Sequence, residues 1–272
     1  MINGKTVYVI AVITLQQRCY LCELTSKDFN VISKCLLAKV NNKKLLELGI
    51  SPLHAIIRLF ECLLHLSYKL KICKWQARTK EEKEIVENEK KNIQEKFRTM
   101  MGLIVDKPKP GYGSSNDGNT ARKFFHNFEE SAEITGINKN LIYRFHVILL
   151  ALSSTFTINS FKFKNYCLKT AVLFVKNYPW YPMPITLHKI VFHGFEILEN
   201  AMMPLGLLSE ETQESRNKDI KAYRERYSRK FLRVQTLEDM FHNLLVSSDP
   251  YIVGISKIGQ KKYSIATEYP KE

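Results

Sequence analysis

Glycine and proline are scarce in this 272-residue chain, with 11 and 9 residues respectively. That excludes collagen-like repeats and a largely disordered chain, and it leaves room for long helices. Long apolar runs are missing too. The most apolar stretch, residues 6–14, is far too short to span a bilayer. It follows Lys5, as the apolar part of a secretory signal follows a basic start. No small-x-small cleavage site comes after it, only Leu15, Gln16, Gln17 and Arg18. Its β-branched, Tyr-containing composition reads better as a buried strand. The six cysteines (Cys19, Cys22, Cys35, Cys62, Cys73 and Cys167) are too unevenly spaced for a disulfide scaffold. Reduced cytosolic or nuclear conditions fit better. Four of the six sit in apolar runs, where a thiol serves as a small core residue. Acidic residues are the last shortage: 27 Asp and Glu stand against 41 Lys and Arg, a net charge of +14. Such an excess implies an anionic partner, usually nucleic acid and less often a membrane surface.

The hydrophobic content of 45% is enough for one substantial core, or one and a half domains. Residues 1–14 predict one or two strands. After them almost everything has helical periodicity, so the fold class is mainly α. Residues 45–70 carry apolar side chains at helical spacing, with Pro52 near a helix start. Residues 79–101 predict a charge-laced helix with a solvated face. Residues 106–118 are rich in Pro, Gly, Ser and Asn and form the main break. Further helices are predicted over 119–135, 139–153, 158–177, 184–201, 209–233 and 236–247. Ser209 is the expected cap of the fifth of these, with Glu210 and Glu211 suiting its dipole. Thr236 and Asp239 form a capping-box-like pair for the sixth.

Cys19 and Cys22 form a CxxC on a turn after the first strand, a spacing that lets two thiolates reach one tetrahedral metal. His188 and His193 offer the other half. Residues five apart lie roughly 140° from each other around an ideal helix, so one histidine must sit at a helix end or the turn must be distorted. From spacing alone two readings stand: a joined Cys2His2 site, or two ordinary helix histidines beside an incidental CxxC. A joined site would staple the first segment to the last third of the chain.

The helix from Glu214 carries an apolar stripe of Ile220, Tyr223, Tyr227 and Phe231, expected to be core. Its other faces carry Arg216, Lys218, Lys221, Arg224, Arg226, Arg229, Lys230 and Arg233, a density that suits a phosphate backbone. Glu214 alone reads as a helix-pair partner of Lys218. It gains interest only if other carboxylates converge on it to hold Mg²⁺. Residues 116–123 run from a polar loop into a helix whose start, with Arg122 and Lys123, could hold a phosphate. Residues 177–184 form an aromatic, proline-rich loop. Its Trp180 either packs at a helix junction or stacks on an extruded base.

Taken in order, Cys19 and Cys22, the segment 118–123, Tyr178 to Trp180, His188 and His193, the segment 209–218, and Leu237 to Asp239 resemble Transib transposases and the similar catalytic subunit of the V(D)J recombinase. The resemblance covers nearly the whole chain. It implies a helical zinc-binding insertion, residues 19–208, beside remnants of a ribonuclease-H-like core (the DDE transposase fold). Those remnants are the strands of residues 1–18 and the segment 209–272, which carries the last catalytic acid and a basic tail. It implies structural Zn²⁺ on Cys19, Cys22, His188 and His193, and Glu214 as the third acidic residue of a two-metal centre using Mg²⁺ or Mn²⁺. It makes Arg122 and Lys123 backbone contacts, with Trp180 stacking on a flipped base. The basic face of Arg216, Lys218, Lys221 and Arg224 completes the expected DNA contacts.

The family reaction is a metal-assisted nick, hairpin formation by the freed 3′-hydroxyl, and strand transfer. Its partners are DNA and, in the full-length family, a second copy of the chain; its compartment is the nucleus. No membrane and no small-molecule substrate are expected. The first acidic residue would belong to strands preceding Met1. The second aligns with Asn3, and an amide binds Mg²⁺ much less well than a carboxylate. The chain alone is therefore expected to lack nuclease activity. The alternative is a non-enzymatic, domesticated helical protein that binds DNA or a protein partner.

Overall fold

The structure is a computed structural model that describes residues 18–109, 113–208, 211–252 and 254–255, with backbone only at 109, 113 and 211–215. The strands expected over residues 1–14, Asn3 among them, lie outside the described residues, as do Ser209 and Glu210. The described chain is mainly helical, and it divides into two compact units at residue 210.

The first unit begins with a tight turn and the short helix α1 (Ile32–Leu37). A 3-10 turn, Lys43–Leu48, leads to α2 (Pro52–Ser67), the centre of the core. Ser51 caps α2: its Oγ accepts from the His54 N–H at 3.3 Å, and Pro52 fills the first helical position, where no N–H is needed. Leu59, Phe60, Leu63, Leu64 and Leu66 are fully buried, while His54, Arg58, Glu61 and His65 form a polar stripe at helical spacing that meets solvent, so most but not all of the α2 surface is covered by its neighbours. Removing even one such buried side chain leaves a cavity costing a few kcal/mol.

Helix α3 (Lys80–Met101) has the opposite character. Thr79 and Glu82 form a full capping box, and Gly102 ends the helix at φ 63°. Only Ile93, Gln94 and Phe97 are buried on it, and the charged face is solvated as the sequence predicts. The loop after it contains a minimal antiparallel pair, β1 (Pro108–Lys109) and β2 (Gly113–Ser114). Buried Gln94 and Asn116 anchor the loop: Gln94 Nε2 donates to the Val105 carbonyl at 3.2 Å, and Asn116 Oδ1 accepts from the Asp106 N–H at 2.7 Å. The predicted break is thus a loop but not a boundary, since helices on both sides share one core.

The segment 119–135 is two helices, α4 (Gly118–His126) and α5 (Phe128–Thr135), where the sequence predicts one. Asn127 leaves helical geometry at φ −95°, ψ 54°, and lets the apolar faces of both helices turn inward. Helix α6 (Lys139–Leu152) is capped by Asn138, and α7 (Ser160–Asn177) by Asn159. The last helix of the unit is composite. It runs as α8 (Ile185–His188), a single π turn (Lys189–His193) and α9 (Gly194–Asn200). Gly194 sits where an added Cβ would come within 3.0 Å of Phe163, so the helix packs closely on α7.

The second unit is a pair of helices, α10 (Glu211–Arg226) and α11 (Arg233–Ser248). The helix predicted over 209–233 therefore stops at Arg226, and the next starts three residues before Thr236. Thr236 and Asp239 do not cap it. The Thr236 hydroxyl donates to the Arg229 carbonyl at 2.6 Å, and Asp239 accepts two bonds from the Arg229 guanidinium. The Tyr and Phe stripe does not form a core either: Tyr227 is 64% exposed and Phe231 is 86% exposed. Phe231 lies beyond the helix, where helical spacing no longer applies.

Candidate metal centre

The turn of residues 18–25 is built by backbone bonds. The Cys19 N–H donates to the Leu24 carbonyl, and the Glu23 N–H returns to the Cys19 carbonyl, both at 2.8 Å. Glu23 adopts φ 60°, a left-handed position that closes the turn. Both thiols consequently face inward, with Cys19 fully buried and Cys22 nearly so.

The π turn supplies the other two groups. An α-helix closes on i→i+4 bonds, whereas a π turn closes on i→i+5 bonds and brings residues five apart onto one side. His188 and His193 have that spacing, and the turn spans Lys189–His193. Of the two arrangements the spacing allows, a histidine at a helix end or a distorted turn, the distorted turn is the one present. Both imidazoles are buried, with ring centroids 5.3 Å apart.

Across 166 residues of sequence, Cys22 Sγ lies 3.3 Å from His188 Nε2. Ligand atoms from Cys19, Cys22, His188 and His193 all fall within 4.8 Å of one another. The four residues predicted as a set therefore converge, and they could hold a metal ion. Among the described residues they form the one such cluster of three or more groups.

The surroundings orient both rings. His193 Nδ1 lies 3.1 Å from the Glu196 carboxylate, and its Nε2 makes no hydrogen bond among the described residues. A carboxylate that accepts a hydrogen bond from Nδ1–H leaves the Nε2 lone pair facing inward, the usual arrangement behind a ligating imidazole. His188 is stacked on Phe29, with centroids 4.0 Å apart and planes at 17°. Its Nδ1 faces Cys35 Sγ at 3.8 Å, and the Cys35 thiol in turn donates to the Phe29 carbonyl at 3.5 Å. Asn30 ties the two halves together by itself. Its amide donates to the Tyr181 carbonyl at 2.9 Å and accepts from the Met183 N–H at 2.8 Å. Sequence reasoning missed Asn30, Glu196 and Cys35. Only Glu196, three residues after a candidate ligand, gave a signal that could have found it.

Electrostatics follow from this crowding. The neighbouring Cys22 thiol holds Cys19 far below the ordinary thiol range, and the two nearby imidazoles act in the same direction against its burial. Cys22, by the same contact and by its burial, is pushed up. Burial lowers the His188 imidazole. Burial also opposes charge on His193, but Cys19 and Glu196 outweigh it and raise the group to about 9. Burial alone lifts Cys62 to about 12, the behaviour of an inert core thiol.

The expected DNA contacts fall on elements of both units. Arg122, half-buried, and Lys123, exposed, lie on α4. With His126, His146, Leu149 and Leu150 they line a cavity of about 370 Å³. Trp180 is half-buried against the core, edge-on to Tyr181. Lys218, Lys221 and Arg224 are exposed on α10. Arg216, half-buried on α10, bonds Asp219, Ser247, Ser248 and the Leu244 carbonyl of α11. Arg229 is likewise paired, with Asp239. Glu214 lies on the first half of α10. Comparison of the sequence with protein-family models and with curated proteins finds no match.

Proposed function

We propose that this chain is a transposase-derived, DNA-contacting protein of the Transib type, whose residues 19–208 form a helical insertion stapled by zinc. One observation carries the reading. Two thiols and two imidazoles, predicted as a set from a six-motif order, meet in one buried cluster. The donor set suits zinc. Tetrahedral Zn²⁺ takes sulfur at about 2.3 Å and nitrogen at about 2.0 Å, which places donors about 3.3–3.8 Å apart. The Cys22 to His188 distance of 3.3 Å lies at that scale. Four protein donors fill the coordination sphere, so the ion is structural and holds no open position for substrate. The orphaned His193 Nε2 is the atom that gains a partner when the ion binds.

The anionic partner is DNA, as the net charge of +14 favours. Lys123 on α4 and Lys218, Lys221 and Arg224 on α10 are the backbone contacts of this reading. Arg122 shares the cavity wall with Lys123. Trp180 reaches a base where the duplex opens. The compartment is the nucleus. Glu214 is the third acidic residue of the family's Mg²⁺ or Mn²⁺ centre. One carboxylate does not make a two-metal site, and Asn3 stands where the second acid belongs. The chain alone therefore binds DNA without cutting it.

Elemental analysis of the purified chain tests the staple: about one zinc per chain supports it, and none overturns it. A salt titration of duplex binding tests the partner, because log affinity must fall linearly with log salt. Asn3 favours a second reading, a domesticated non-enzymatic binder. Asn3→Asp in a chain fused to a family core separates the two: Mn²⁺-dependent nicking supports a transposase relic, and persistent inactivity supports the binder.

A further inference from the structure

We infer that the connection between α2 and α3, residues 68–79, is an additional nucleic-acid contact in which Trp75 stacks on an unpaired base. The inference rests on the DNA-binding reading above and deepens it. The sequence from Lys69 to Lys80 carries Lys69, Lys71, Lys74, Arg78 and Lys80 and no acidic residue. Its apolar side chains are sorted by direction. Tyr68 is buried, Leu70 packs against the core, and Ile72 is half-buried, whereas Trp75 is 44% exposed. Trp75 is the only large apolar side chain that this connection leaves in solvent.

The indole is exposed but fixed. It meets Tyr181 edge-on, with centroids 5.0 Å apart and planes at 85°. The Lys69 ammonium lies 4.3 Å from the ring centroid on one side, and donates to the Trp75 carbonyl at 2.9 Å. Tyr181 is itself buried, with its hydroxyl donating to the Cys62 carbonyl at 3.4 Å. The connection also holds a left-handed non-glycine residue, Cys73 at φ 49°. A shape held this firmly has already lost the freedom that binding would otherwise cost. Trp180 meets the same Tyr181 ring at 5.7 Å and 84°, so two indoles share one support.

Aromatic stacking needs only the π face of a base, and nearby cations hold the phosphates. Lys71 and Lys74 pair with Glu89 and Glu82, and surface pairs of this kind are weak enough for phosphate to displace. A bilayer would instead require several bulky apolar residues facing outward. Here a single indole does so among five cations, which favours a nucleic acid with exposed bases.

The test compares the zinc-loaded full chain with Trp75→Ala and Trp75→Phe on a single-stranded oligothymidylate and on a duplex of equal length. Expected is a roughly ten-fold loss of single-strand affinity in Trp75→Ala, duplex affinity within about two-fold, and recovery in Trp75→Phe. Emission from Trp75 in a Trp180→Phe chain gives a readout that leaves Trp75 intact; quenching by the oligothymidylate is expected. If the wild type binds neither oligonucleotide, the DNA reading falls and this inference with it. If the wild type binds both but Trp75→Ala loses nothing, or loses equally on both, only the stacking platform is overturned. Emission that responds to anionic phospholipid vesicles and not to the oligonucleotide also overturns it, in favour of a membrane surface.

Discussion

Residues 18–208 and residues 211–255 are both mostly helical, yet they hold themselves together by different means. The first unit buries a continuous core around α2 and closes a Cys/His cluster between its two ends. In the second, among the described residues, no side chain is buried. Its two helices are joined by polar contacts from Arg216 to α11 and by the Arg229 to Asp239 pair. Val234, Leu237, Phe241 and Leu245 remain exposed along α11. Helical periodicity is thus a poor guide to burial when too few layers exist to cover a stripe.

Metal removal should break this contrast most strongly. Chelation, or Cys22→Ser or His193→Ala, is expected to cost the first unit about 5 kcal/mol or more, since a structural ion contributes folding energy outright. Elemental analysis with thermal unfolding checks this. Unchanged melting after verified metal loss would contradict it. Next in size, Phe60→Ala should destabilise by about 3–5 kcal/mol. Leu245→Ala on α11 should change denaturant stability by no more than about 0.5 kcal/mol. Equal effects at the two positions would erase the distinction between the units.

Asn30→Ala should cost about 1–3 kcal/mol, because it strands the buried Tyr181 carbonyl and Met183 N–H, while zinc content stays near one per chain. Loss of zinc in that variant would make Asn30 part of the metal site itself. Acidification should release the ion, since thiolates must be protonated for it to leave and protonation rises as pH falls. A dye that reports free zinc should show release on the acid side of neutrality and none between neutral and mildly basic pH. The smallest effect belongs to the surface: Lys218→Gln should reduce the salt slope of duplex binding by about 1.

Much of the first unit was legible because its signals are local. Helix starts near residues 52, 79, 139 and 158 were read from apolar and charge spacing, while the caps found there, Ser51, Thr79 with Glu82, Asn138 and Asn159, went unread although their chemistry is complete within a few residues. The four candidate ligands were legible as types and spacings, and the distorted turn is one of the two arrangements that their spacing allowed. What stayed hidden is non-local. Asn30 is one polar residue whose partners lie about 150 residues away, and no pattern marks it. The break at Asn127 was hidden because apolar spacing runs on through it. The second unit was misread because a stripe of tyrosines looks the same whether or not anything covers it.

The π turn places a constraint on how this gene can change. Removing one residue between Lys189 and Phe192 would let that stretch relax into a regular α-helix, with better local bonding than before. The same deletion would leave the two histidines four positions apart, roughly 40° from each other around a regular helix, so both imidazoles would still face the thiols. Straightening the turn without shortening it would instead set them roughly 140° apart and split the ligand set. Length and winding are therefore tied together in this segment, which can lose the extra residue and the π turn as one event but not the π turn alone.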